Sequence, residues 1–181
     1  ADSDAVLIIS VGDLNKNKNN KVIIKALSKL KKNNIHYLIC GEGKRKNDLV
    51  KLTKYYNLEK NIHFMGYRTD IPQLLKSCDI FVMMSYREGL PRSTMEAMAA
   101  GLPCIVSNVR GNVDLIEDKK GGVLVKPDDV EHLITAIIEL SENKIIRKEM
   151  QNYNLQSVKK YDVKNIKYMI KNVYLGVLNN D

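Results

Sequence analysis

Two carboxylates, Glu88 and Glu96, stand with seven residues between them in EGLPRSTMEAMAAGLP, the stretch from Glu88 to Pro103. An ionised carboxylate only accepts hydrogen bonds, so a pair of them suits the hydroxyls of a sugar or a ribose. Glu88 sits in a Gly/Pro loop, and Glu96 falls in the opening turn of a helix of small residues. For Glu96 a local explanation competes, because Ser93-x-x-Glu96 is also a capping box and an acidic side chain in the first helical turn is favourable anyway. Glu88 has no such explanation. A second set of groups lies in GDLNKNKNNK, from Gly12 to Lys21, where a glycine turn is followed by Lys16 and Lys18 just before a helix start. Lysines beside free backbone N–H groups suit a diphosphate, although this stretch taken alone equally describes a solvated loop in a Lys-rich chain. Gly41-Glu42-Gly43 permits close backbone approach to a ligand and equally marks any tight strand-to-helix turn. Gly66-Tyr67-Arg68 offers a wall for a flat base through backbone contacts or stacking.

Groups this far apart need a scaffold, and the hydropathy pattern supplies one. Short β-branched runs at Ala5–Val11, His36–Cys40, Ile62–Met65, Ile80–Met84, Cys104–Ser107 and Val123–Val125 read as strands. Between them Asn19–Lys32, Lys46–Tyr56, Ile71–Ser77 and Ser93–Ala100 carry apolar residues at helical spacing. This alternation predicts an α/β fold, a Rossmann-like parallel sheet of about six strands covered on both faces. In such sheets ligands bind beyond the carboxyl ends of the strands, which is where every candidate group above falls. After Pro127 the chain reads as helix, opened by a capping box of Asp128 and Glu131 and broken near Glu142–Lys144 and Tyr161–Asp162. The last helix, about Val163–Leu178, places Ile166, Met169, Ile170, Val173, Tyr174 and Val177 on one apolar stripe that needs a partner.

Composition narrows the partners. The chain has 181 residues, 44% hydrophobic and 28% charged, which fits one globular domain. No window approaches the roughly 18 apolar residues of a bilayer crossing, and ADSDA at the start is no secretory signal, so a soluble cytoplasmic chain is expected. Cys40, Cys78 and Cys104 lie in or beside apolar runs without ligand spacing and read as buried thiols. His36, His63 and His132 are scattered, and no metal site is assigned. The net charge of +8 favours polyanions. The strands nevertheless lack the aromatic interleaving of a nucleic-acid platform, and nucleic acid is not expected as a partner.

The order of the glycine and lysine loop, GEG, FMGYR, the Glu88-to-Glu96 block, AMAAGLPCIVSN and GNVDLI resembles the C-terminal domain of glycosyltransferase family 4 over nearly the whole chain. That family has the GT-B fold of two Rossmann-like domains and a characteristic E-x7-E motif. The resemblance implies that residues 1–181 form a single nucleotide-sugar-binding domain, the N-terminal acceptor domain being absent from this chain. By the same resemblance, Glu88 contacts the donor sugar near the reaction centre and Glu96 holds the ribose hydroxyls. Lys18 matches the family's diphosphate lysine, with Gly12 and Lys16 in the same loop. The backbone from Leu90 through Pro91, Arg92 and Ser93 to Thr94 meets the sugar and phosphate. Gly41, Gly43, Gly66, Tyr67 and Arg68 line the nucleoside. Two positions depart from the pattern: Asp13 stands where the family has Arg, and Asn19 where Gly follows the lysine. Because an Asp cannot bind a diphosphate, either Lys16 or Arg92 supplies a second cation or diphosphate binding is weaker.

The implied reaction is retaining transfer of a glycosyl group from a nucleotide sugar, UDP-linked by preference, without metal or cofactor, in bacterial surface polysaccharide synthesis. The implied location is the cytoplasm, with peripheral contact at an anionic inner membrane face. The final helix, which in the family crosses toward the N-terminal domain, gives a surface for that domain or for self-association. Two other readings stay open, a nucleotide-sugar epimerase half-domain and a non-catalytic nucleotide-binding or interaction module. A dinucleotide-binding domain is disfavoured, since Gly12-Asp13-Leu14-Asn15 is no G-x-G-x-x-G.

Overall fold

Each β-branched run finds its partners in one sheet. The strands are Val6–Val11 (β1), Ile35–Cys40 (β2), Ile62–Gly66 (β3), Ile80–Met83 (β4), Cys104–Ser107 (β5) and Gly122–Val125 (β6). Their order is β3-β2-β1-β4-β5-β6, and every neighbouring pair is parallel. The computed structural model describes residues 4–30 and 34–178, leaving the side chains of Ile166, Met169, Val173 and residues 175–178 aside. Alternation along β1 sends Ile8 to one face and Ile9 to the other, both fully buried.

Helices cover both faces because parallel strands need crossovers. Asn20–Lys29 (α1), Lys46–Tyr55 (α2) and Val130–Glu142 (α6) pack with Ile8 on one face. Ile71–Lys76 (α3), Arg92–Ala99 (α4) and Asn112–Leu115 (α5) pack with Ile9 on the other. Helix α6 buries Leu133, Ile137 and Leu140 completely, each contributing roughly 1.5–3 kcal/mol by removal from water. Lys144–Ser157 (α7), a 3₁₀ turn at Val158–Tyr161 and Val163–Leu178 (α8) finish the chain. Both helix breaks in this region fall where the sequence places them.

Several local expectations are corrected. Helix α1 starts one residue late because Asn19 is left-handed, with φ 48° and ψ 34°, and it ends at Lys29 with Leu30 as its C-cap, short of the expected Lys32; residues 31–33 lie outside the description. Helix α4 starts one residue early, at Arg92. The box of Ser93 and Glu96 does not form: no side chain caps α4, and the Ser93 hydroxyl faces the Met83 sulfur at 3.7 Å. Helix α6 is capped by Asp129, whose carboxylate accepts from the His132 N–H at 3.0 Å, and not by Asp128. Asp128 is taken by other loops: its Oδ1 accepts from the Tyr86 hydroxyl at 2.8 Å and from Asn19 Nδ2 at 3.3 Å. Helix α5 was not expected, since four residues carry no periodicity.

The histidines are not all scattered. His36 on β2 and His63 on β3 stack with ring centroids 5.4 Å apart, Nδ1 to Nε2 3.1 Å. Desolvation, then the neighbouring His36, lowers the His63 pKa. Cys40 and Cys104 are buried as expected, whereas Cys78 is only partly buried. Burial pushes Cys40 up to about 11 and Cys78 up to about 12. The final apolar stripe falls largely on side chains outside the description; of its members, Ile170 and Tyr174 are exposed.

Candidate active site

The strand order reverses between β1 and β4, and a narrow crevice of about 10 Å³, lined by Gly12, Lys18 and Met83, lies at their carboxyl ends. From β1 the chain turns at Gly12, where the missing side chain leaves room for the Lys18 stem. A Cβ there would lie 3.1 Å from Lys18 Cε. Asn15 Oδ1 accepts from the Lys18 N–H at 3.0 Å and shapes the turn. Lys18 then reaches across the crevice, its Nζ 2.7 Å from Glu88 Oε1 and 3.7 Å from Met83 Sδ. With side chains only 21% and 11% exposed, this ion pair is better shielded from solvent than a surface bridge. The two residues in which sequence reasoning placed most of the chemistry therefore meet, 70 residues apart in the chain.

The second carboxylate stands on α4. Glu96 is 42% exposed, and its Oε1 lies 3.6 Å from Arg92 Nη2 on the same helix face. Arg92 is itself 88% exposed. No side chain caps α4, so the first N–H groups of this helix have no side-chain capping partner. Pro91 and Thr94 are buried, Leu90 is exposed, and the Thr94 hydroxyl is buried without a hydrogen-bond partner. Beside Arg92 and Glu96 runs a groove of about 410 Å³, floored by Met95 and Ala99 and walled by Val158 and Tyr161.

The glycines after β2 act between loops. A Cβ at Gly41 would lie 2.0 Å from the Gly12 carbonyl oxygen, and one at Gly43 2.4 Å from that of Leu14. The loops after β1 and β2 therefore stack backbone on backbone, joined by bonds from the Gly12 N–H to Cys40 O and the Leu14 N–H to Glu42 O. Gly41 in turn donates to Gly66 O at 2.8 Å, which ties in the loop after β3. There Tyr67 is 79% exposed, and Arg68 forms a two-pronged bond with Asp70 at 2.8 and 2.5 Å. That guanidinium holds the Asp70 carboxyl below the usual carboxylate range, so the Arg68 side chain is engaged. Lys16 lines a hollow of about 260 Å³ between α1 and α2, with Lys21 and Arg45.

Sequence reasoning missed the residues that brace this crevice. Gly111, at φ 86°, lets the loop after β5 press on the Glu88 loop, where a Cβ would lie 2.2 Å from Gly89 O and 2.9 Å from Glu88 O. Its signal was a glycine opening the quoted GNVDLI segment. Asn17, Tyr86 and Asp128 link the loops after β1, β4 and β6, and nothing local in the sequence marks them. Among the described residues no three His, Cys, Asp or Glu side chains cluster as a metal site.

The model of the family described as glycosyl transferases group 1 matches residues 1–157. A UDP-Gal:alpha-D-GlcNAc-diphosphoundecaprenol alpha-1,3-galactosyltransferase of Escherichia coli is 33% identical over 145 residues, 80% of this chain and 38% of that protein. The N,N'-diacetylbacillosaminyl-diphospho-undecaprenol alpha-1,3-N-acetylgalactosaminyltransferase of Campylobacter jejuni is 31% identical, covering 82% of this chain and 39% of its own length. The chain thus spans about two fifths of these relatives. In fold it is similar to Anabaena Alr3699/HepE in complex with UDP, with a TM-score of 0.91 at 22% identity over 96% of this chain and 50% of that one. The six-stranded doubly wound sheet and the family match agree, and the chain belongs to the group 1 glycosyl transferases.

Proposed function

We propose that the crevice between β1 and β4 binds the nucleotide diphosphate sugar donor of a retaining, metal-free glycosyltransferase of family 4, with Glu88-x7-Glu96 as its E-x7-E motif. The observation that carries this reading is the Lys18–Glu88 pair, 2.7 Å apart beside the uncapped start of α4. Lys18 and the first N–H groups of α4 form a fixed positive site for a diphosphate. Glu88 accepts from donor sugar hydroxyls, and Glu96 from the ribose. The backbone of Leu90 to Thr94 follows the sugar and phosphate, while Gly66, Tyr67 and Arg68 wall the base. UDP is favoured because the Escherichia coli relative's name carries UDP-Gal and the HepE structure holds UDP.

In the reaction the acceptor oxygen bonds to the anomeric carbon on the face the leaving group vacates, and the bond from that carbon to the phosphate oxygen breaks. The acceptor proton passes to the departing phosphate. Catalysis is then positioning together with stabilisation of charge on the leaving diphosphate. The acceptor site belongs to a second GT-B domain, since the chain covers only 38% and 39% of its relatives. Both relatives' names describe undecaprenol-diphosphate-linked acceptors. A lipid-linked glycan, met at the cytoplasmic face of a membrane, is accordingly the acceptor class proposed here. No helix among the described residues is long and apolar enough to cross a membrane.

A thermal-shift panel of UDP-, GDP- and dTDP-sugars tests the reading, because a ligand that binds only the folded state raises Tm. UDP-sugars should shift Tm most, while the chain alone transfers little or no sugar. A panel without any shift would sink the donor-site reading, and robust turnover by the chain alone would sink the two-domain part.

A further inference from the structure

We propose that Asn17 is a positioning residue for the Lys18–Glu88 pair, its side-chain amide replacing a strand-to-strand backbone pairing where the sheet has ended. Its functional consequence rests on the donor-site reading. The β1–β4 ladder pairs only Ile8 with Ile80 and Ile9 with Phe81, so nothing in the sheet itself aligns the loops beyond Val11 and Met83. Asn17 supplies that alignment. Its Nδ2 donates to the Arg87 carbonyl at 2.9 Å, its Oδ1 accepts from the Arg87 N–H at 3.1 Å, and its own carbonyl accepts from the Tyr86 N–H at 2.9 Å. Asn17 and Arg87 are separated by 70 residues, and so are Lys18 and Glu88. The amide therefore fixes a register in which the next residue on each side is the ion-pair partner.

The register is held from the far side as well. Asn19, next after Lys18, donates to Pro127 O at 2.9 Å, and the Tyr86 hydroxyl donates to Asp128 Oδ1 at 2.8 Å. Lys18 and Glu88 are thus bracketed by bonds to backbone or to a third loop, and neither depends on the other alone for its place. A bidentate amide is well suited to this task, since it offers one donor and one acceptor in the geometry of a peptide group. Alanine keeps the backbone and removes both.

The test is calorimetric titration of wild type, Asn17→Ala, Lys18→Ala and the double variant with UDP and with UMP, together with a ligand-free crystal structure of Asn17→Ala. Asn17→Ala should weaken UDP binding about tenfold and UMP binding less than about twofold, because only UDP presents the outer phosphate to Lys18. Added to Lys18→Ala, it should cost less than about twofold more, since a residue acting through Lys18 has nothing left to position. In the crystal, Nζ and Oε1 should separate beyond about 4 Å. Equal loss of UDP and UMP, additive losses, or an ion pair kept at its original distance would each overturn the proposal. If wild type binds neither nucleotide, the donor reading falls, and the ion-pair distance in the variant alone decides the positioning claim. Should Asn17→Ala fail to fold, Asn17→Ser, too short to span both backbone groups, is expected to give the same pattern.

Discussion

Glu88 pairs with the Lys18 charge, so on the proposed reading a diphosphate competes with a carboxylate for it. Two predictions follow from that competition. Lys18→Ala should weaken UDP binding by about ten- to a hundredfold, the range for loss of charge-assisted hydrogen bonds of roughly 1.5–3 kcal/mol, whereas Asp13→Ala should change it little. Equal losses in a titration would contradict this. Glu88→Gln, which releases Lys18 from its ion pair, should leave UDP affinity unchanged or modestly raised and, on the proposed two-domain reading, abolish most transfer by the complete enzyme. Glu88 was legible as a loop carboxylate without a capping role, and Lys18 only through its place in the ordered series that resembles the family, since its loop alone reads as solvated. Asn17, Tyr86 and Asp128 were not, because an amide or a hydroxyl has no signature until the fold brings a partner from a distant loop. Asn19 is an intermediate case. Its place after the lysine, where glycine is usual, becomes intelligible at φ 48°, a conformation that Asn tolerates better than other side-chain-bearing residues.

The elements were legible in type and order because each is set by local periodicity, while their ends were set by single side chains whose partners are remote. Asp128 and Asp129 illustrate the point. Both suit a cap, and only the structure shows that Asp129 bonds the His132 N–H while Asp128 is drawn to Tyr86. Asp129→Ala should therefore cost about 1 kcal/mol of stability through α6, whereas Asp128→Ala should act chiefly on the loops around Lys18. Chemical denaturation of the two variants, paired with UDP titration, separates these effects. The loop glycines act at the same scale. Gly41→Ala would drive a Cβ to 2.0 Å from Gly12 O, and Gly111→Ala to 2.2 Å from Gly89 O. Each should cost about 3 kcal/mol or displace its loop, with Gly111→Ala moving Glu88. An alanine at either site with wild-type Tm and UDP affinity would show that these contacts are not needed.

Across the whole molecule the doubly wound order was legible as a class, since alternating strands and helices with short loops leave few other arrangements. The place of the crossing point, between β1 and β4, came from the structure, and it brings the loops that carry Lys18 and Glu88 side by side. Buried polar chemistry was not legible. Tyr37, wholly buried on β2 and bonded to Ser10 and Asn20, has its pKa raised by desolvation from 10.0 to about 12. A group whose folded pKa lies above its unfolded one stabilises fully below the unfolded value and loses that contribution as pH rises through the folded one. Stability should thus fall between pH 10 and about 12, with the raised Cys40 and Cys78 thiols acting in the same direction, and Tyr37→Phe should flatten that fall. The claim on which everything else depends is that the β1–β4 crevice holds a nucleotide sugar, and calorimetric titration of the chain with UDP-galactose tests it most directly. Saturable one-site binding is expected, and Lys18→Ala and Glu96→Gln should each weaken it by about tenfold or more. Absence of binding by UDP-galactose, UDP and GDP alike, or wild-type affinity in both variants, would contradict it.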